Sequence, residues 1–81
     1  MTTKDDIKDW FKTGKKRKAT HMVIICDSFS YEDYPVYVFK GTKVGKVVME
    51  YSTKEMQRVM EVYDLKKDMK KQLEEERAFN Y

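Results

Sequence analysis

Ile7, Trp10 and Phe11 fall at the i, i+3 and i+4 positions that place apolar side chains on one face of a helix. Thr3 and Asp6 before them have the spacing of a capping box, with Asp in place of the usual Glu or Gln. Gly14 is a natural stop, because glycine accepts the left-handed conformation that a helix C-cap often needs. The pattern predicts a first helix over residues 4–13, then a loop carrying Lys15, Lys16, Arg17 and Lys18 near the negative end of the helix dipole. His21–Asp27 reads as a strand, rich in β-branched residues and apolar on both faces, which suits a central strand.

Ser28–Tyr34 is a polar, turn-rich connection. Pro35 cannot donate to a ladder and fits the first residue of a second strand, Val36–Phe39, ended by Gly41. Gly45 breaks the next apolar run, which predicts a third strand over Lys46–Tyr51, joined to the second by a short hairpin-like link. Ser52 and Glu55 form a second capping-box spacing, and Met56, Val59, Met60 and Tyr63 follow on one helical face. Leu65, Met69 and Leu73 continue on an offset stripe, so the helical region is expected to bend or break near Asp64 and to run to about Arg77.

The expected fold is therefore α+β. A small three-stranded antiparallel sheet carries an N-terminal helix and a C-terminal helical region, in one domain over residues 1–81. The helices are expected to cover one sheet face with Ile7, Trp10, Phe11, Met56, Val59, Met60 and Tyr63.

Composition narrows the class. Hydrophobic residues make up 41% of the chain and charged residues 38%, a thin core under a highly charged surface. Aromatics, at 14%, bury enough area each to carry such a core. The single cysteine, Cys26, excludes an intramolecular disulfide. Met1 is followed by Thr2, Thr3 and Lys4 instead of an apolar leader, and no apolar run nears the roughly 20 residues of a membrane span. The expected setting is reducing and cytoplasmic. The net charge of +3 is uneven: residues 1–20 hold seven basic and three acidic groups, and the remainder is nearly balanced.

Little in the chain points to catalysis. His21, Cys26 and Asp27 are close in sequence, yet on a strand His21 and Cys26 face opposite sides. His21 and Asp27 share a face, but at roughly 3.3 Å per residue they stand about 20 Å apart. With one histidine and one cysteine there is no zinc ligand set. Asp27, Ser28, Ser30, Glu32 and Asp33 offer oxygens without the glycine bend of a calcium loop. The three glycines form no phosphate-loop pattern. The reading is a protein that is not an enzyme, with no catalytic residue, metal or cofactor.

Two segments are candidates for binding. Residues 27–34 set Asp27, Glu32 and Asp33 among Phe29, Tyr31 and Tyr34. Rigid amphipathic rings beside negative charge suit a protein contact. The blander reading folds Phe29 and a tyrosine back over the sheet. Lys15, Lys16, Arg17 and Lys18 are the alternative, a phosphate-contacting run of a small nucleic-acid-binding module. No stacking aromatics adjoin that run, and the bland reading is a solvated loop. The charged C-terminal helix could also pair with its copy in a homodimer.

The phrases Thr20–His21–Met22, Cys26–Asp27, Phe29 and Tyr31–Glu32–Asp33–Tyr34–Pro35–Val36–Tyr37–Val38 carry a resemblance. So do Met56–Gln57–Arg58–Val59–Met60–Glu61–Val62–Tyr63–Asp64–Leu65 and Glu76–Arg77–Ala78–Phe79–Asn80–Tyr81. Together they resemble a family of small, mostly uncharacterised bacteriophage and prophage proteins. The resemblance implies an accessory protein of the infected bacterial cytoplasm that binds a bacterial host protein, with inhibition of host defence or host machinery as one outcome. It carries over no catalytic residue.

Overall fold

The computed structural model describes residues 3–75 and 78–81. The chain begins with helix α1, Lys4–Lys16. Its capping box forms in full: the Asp6 N–H donates to Thr3 Oγ1 at 3.2 Å, and the Thr3 N–H donates to Asp6 Oδ2 at 3.0 Å. Ile7 and Phe11 are buried, and Trp10 packs half-buried at the margin of the same cluster. Gly14 does not stop the helix. It is buried, and a Cβ built there would lie 2.7 Å from Leu65 Cδ1 and 2.8 Å from Tyr37 Cε1. The glycine lets α1 pass close to its neighbours, so Lys15 and Lys16 are helical and not part of a loop.

Strand β1, His21–Asp27, is the centre of a three-stranded antiparallel sheet of order β2-β1-β3. Strand β2, Glu32–Val38, pairs with β1 from Asp27↔Glu32 to His21↔Val38. It begins earlier than the sequence suggests, so Glu32, Asp33 and Tyr34 are strand residues and the connection is a tight turn. Pro35 lies inside β2, opposite Ile24, and is tolerated because β2 is an edge strand.

The chain then departs from the expected order. Residues read as a third strand form helix α2, Val44–Thr53. Val44, Val47, Val48 and Tyr51 pack against Val23, Ile25, Val38 and Val62. Residues read as the start of a C-terminal helix form strand β3, Gln57–Asp64, antiparallel to β1. β1 carries backbone donors and acceptors along both edges, and β3 pairs with the edge that β2 leaves open. The register slips between Ile24↔Glu61 and Ile25↔Val59, leaving Met60 as a bulge. Helix α3, Met69–Glu74, follows, capped by Asp68, whose carboxylate accepts the Lys70 N–H. Asp64 therefore ends a strand and does not mark a bend in a helix. The expected extension to Arg77 lies outside the described residues.

The fold is α+β, with element order α1-β1-β2-α2-β3-α3. Helices cover both faces of the sheet, not one. Ile7, Phe11 and Leu73 pack with Met22, Ile24 and Tyr63 on one side, and α2 closes the other. Met56, expected in the core, is exposed. Phe11 meets Tyr63 edge-on, with ring centroids 6.4 Å apart. Beyond α3 the chain returns along the outer edge of β3. The Val62 N–H donates to the Ala78 carbonyl at 2.7 Å, and the Asn80 N–H donates to the Val62 carbonyl at 2.9 Å. No helix among the described residues is long and apolar enough to cross a membrane.

Candidate functional site

The strand register separates two ends of the sheet. Asp27 pairs with Glu32 and with Gln57, so the β1–β2 turn and the α2–β3 link share one end. His21 pairs with Val38 and with Asp64, so the links after α1, β2 and β3 share the other.

At the first end the turn is built by its own backbone. Asp27 Oδ1 accepts the Phe29 N–H at 2.9 Å, and the Asp27 carbonyl accepts the Tyr31 N–H at 2.7 Å. Tyr31 sits at φ 57°, a left-handed conformation that turns the chain into β2. Phe29 and Tyr31 project into solvent, 81% and 84% exposed. The Ser28 N–H donates to the Met56 carbonyl at 2.8 Å, which brings exposed Met56 beside the turn.

The six residues expected to form one contact surface divide. Phe29, Tyr31 and Glu32 are exposed, and Asp33 is half-buried opposite Cys26. Asp27 holds the turn. Tyr34 belongs to the core: it packs with the α2-side cluster, and its hydroxyl donates to Gln57 Oε1. Desolvation, then the nearby Tyr51 and Asp27, pushes its phenol up from the ordinary value. Met56 is the residue the sequence reading missed, because its spacing matched a helical core stripe.

Cys26 and His21 stand at opposite ends of β1 and do not meet. Desolvation and then Asp33 push the Cys26 thiol up, away from the reactive thiolate. His21 bonds Thr20 Oγ1 through Nδ1 at 3.1 Å and faces Asp64 Oδ2 through Nε2 at 3.9 Å. No group of three or more His, Cys, Asp or Glu side chains among the described residues could hold a metal.

The second end is basic. Of the 15–18 run, Lys15 lies over the Phe11 ring at 5.4 Å and Arg17 over the Tyr37 ring at 5.7 Å. These two cations cover core aromatics, which accounts for part of the run without a phosphate. Between the β2–α2 link, the start of α2 and Lys66 lies an open cavity of about 670 Å³. Lys40, Lys43, Lys46 and Lys66 line it, with His21 and Asp64 at its inner wall. Comparison of this chain with protein-family models, with curated proteins and with solved structures found no match.

Proposed function

We propose that the chain is a phage-type accessory protein that binds a bacterial host protein through the tip of its β1–β2 hairpin. The observation that carries this reading is the exposure of Phe29 and Tyr31, at 81% and 84%, on a turn fixed by its own hydrogen bonds. An aromatic ring left in water forgoes a stabilisation of roughly 25 cal/mol per Å² of apolar area. Binding recovers it, and aromatic anchors dominate interface energetics. A turn already held still loses little entropy on binding.

Met56 widens the apolar patch, and Glu32 and Asp33 border it with negative charge. That chemistry suits a partner with an apolar pocket rimmed by lysine or arginine. Occupying such a pocket is a mode suited to inhibiting host defence or host machinery. The phage-type and cytoplasmic parts of the proposal rest on the resembling phrases around Tyr31–Val38 and Met56–Leu65, and on Cys26 as a lone thiol. The test is capture from bacterial lysate with the intact chain and with Phe29→Ala combined with Tyr31→Ala. The expected result is a partner retained by the first and lost by the folded variant. Equal capture by both overturns the reading.

A further inference from the structure

Four lysines line the cavity at the basic end, from two separate segments. Lys40, Lys43 and Lys46 come from the β2–α2 link and the start of α2, and Lys66 comes from the chain after β3. The acidic side chain in the lining, Asp64, faces His21. The ion pairs among the described residues are His21–Asp64 and Lys54–Glu50, so none of the four lysines has a carboxylate within 4.0 Å there. Four like charges around one concavity repel one another, and an anion placed among them removes that cost. The volume of about 670 Å³ is that of a small-ligand site.

Two glycines in the lining point the same way. Gly41, at φ +99°, turns the chain toward α2. Gly45 is the second residue of α2, where a Cβ would meet no atom within 4 Å. No packing contact asks for glycine there, and glycine is a poorer helix former than alanine. What Gly45 does provide is bare backbone in the cavity wall, over which a ligand can approach closely. The first turn of α2 has no side-chain cap, so its N–H groups add partial positive charge to the lysines.

We infer that this cavity binds a compact cluster of phosphate groups. The lining cations are lysines, which meet phosphate as point charges and lack the fork that matches a single carboxylate. The phosphate chain of a nucleotide and consecutive phosphates of a nucleic-acid strand share this chemistry. The site is at the opposite end of the sheet from the hairpin tip, so it stands whether or not the tip binds a protein.

The experiment titrates the full chain with sodium tripolyphosphate, ATP and a ten-nucleotide oligo(dT), read by amide chemical shifts and calorimetry. Saturable shifts centred on Gly41, Lys43, Gly45 and Lys46 are expected. Gly45→Ala should stay folded and weaken binding at least about tenfold, or roughly 1.4 kcal/mol. Lys43→Glu with Lys46→Glu should weaken it far more than Lys4→Glu with Lys8→Glu, the same charge change placed outside the cavity. Comparable binding of tripolyphosphate and ATP shows that the phosphate chain is what the cavity recognises, and tighter binding of ATP identifies a nucleotide. Preference for the oligonucleotide, steeply salt-dependent, identifies a strand. Either supports the site. The inference is overturned if no probe saturates, if both lysine pairs weaken binding equally, or if Gly45→Ala has no effect.

Discussion

The side-chain amide of Gln72 closes both backbone hydrogen bonds of Asp64. Its Oε1 accepts the Asp64 N–H at 2.8 Å, and its Nε2 donates to the Asp64 carbonyl at 2.9 Å. Asp64 is the last residue of β3, and the returning C-terminal chain pairs with that strand at Val62. Gln72 thus does for the strand end what another strand would do, and a third bond to the Asp68 carbonyl fixes its position. This accounts for the burial of a polar side chain at 3% exposure.

Gln72→Met keeps the volume and removes the bonds. It leaves the half-buried Asp64 N–H unpaired, while the Asp64 carbonyl keeps the Lys67 N–H at 3.1 Å, so it should cost about 1–3 kcal/mol. Urea denaturation checks this: the midpoint should fall with an unchanged slope. A midpoint equal to the parent's would mean that water replaces the amide without loss.

Gly14→Ala and Gly45→Ala should have opposite signs, although both put alanine into a helix. At Gly14 the new Cβ would press on the Leu65 and Tyr37 side chains, and Tyr37 is tied by its hydroxyl to the Trp10 carbonyl at 2.9 Å. A loss of about 1–3 kcal/mol is expected from overpacking. At Gly45 the Cβ meets nothing, and a gain of roughly 0.5–1 kcal/mol follows from helix propensity. Thermal midpoints of the two variants, measured side by side, decide the matter.

These glycines also mark where the sequence could be read and where it could not. Helix α1, its capping box and strand β1 were legible because local signals and tertiary packing agree there. Gly14 and Gly45 both read as breakers, since a single sequence does not distinguish close packing or a bare wall from a stop. The valines around α2 favour a strand by propensity. Yet Val44, Val47, Val48 and Tyr51 keep helical spacing, and packing on the sheet prevails. In β3 the Met60 bulge shifts the alternation, and Val59, Met60 and Tyr63 then imitate a helical stripe. The exposed aromatics were visible as residues of a polar connection. The lysine cavity was not, because Lys66 joins Lys40, Lys43 and Lys46 only through the β2-α2-β3 crossing.

Stability should fall in strong alkali, and Tyr63 should account for part of the fall. Burial, with the Glu61 carboxylate beside it, raises the Tyr63 phenol well above its ordinary value of 10.0. The hydroxyl donates to Glu61 Oε2 at 2.9 Å. The folded state holds the proton more tightly than the unfolded chain. The contribution is therefore complete below pH 10 and is lost as pH rises through the folded value. Denaturation midpoints at pH 8 and pH 11 should diverge in the parent and diverge less in Tyr63→Phe. An identical divergence in both would place the alkaline loss on other groups, Tyr34 and Tyr37 among them.

Tyr31 and Tyr34 are three residues apart and should answer mutation in different ways. Tyr31 is 84% exposed on the turn, and Tyr34 packs with the α2-side core and donates to Gln57. Tyr31→Ala should leave the thermal midpoint nearly unchanged and weaken partner binding by more than about 1 kcal/mol, as loss of an interface aromatic does. Tyr34→Ala should do the reverse, costing about 2–4 kcal/mol of stability as a truncated, partly buried aromatic. Glu32→Lys touches only the rim of the tip. It should slow association with a basic partner, most strongly at low salt, and leave dissociation almost unaltered. Stopped-flow association at two ionic strengths, beside thermal melts of the same variants, separates these effects. If Tyr31→Ala and Glu32→Lys both bind at the parental rate and affinity, the partner does not use the tip. A Tyr31→Ala variant that unfolds would instead put the ring inside a folding contact, against its exposure.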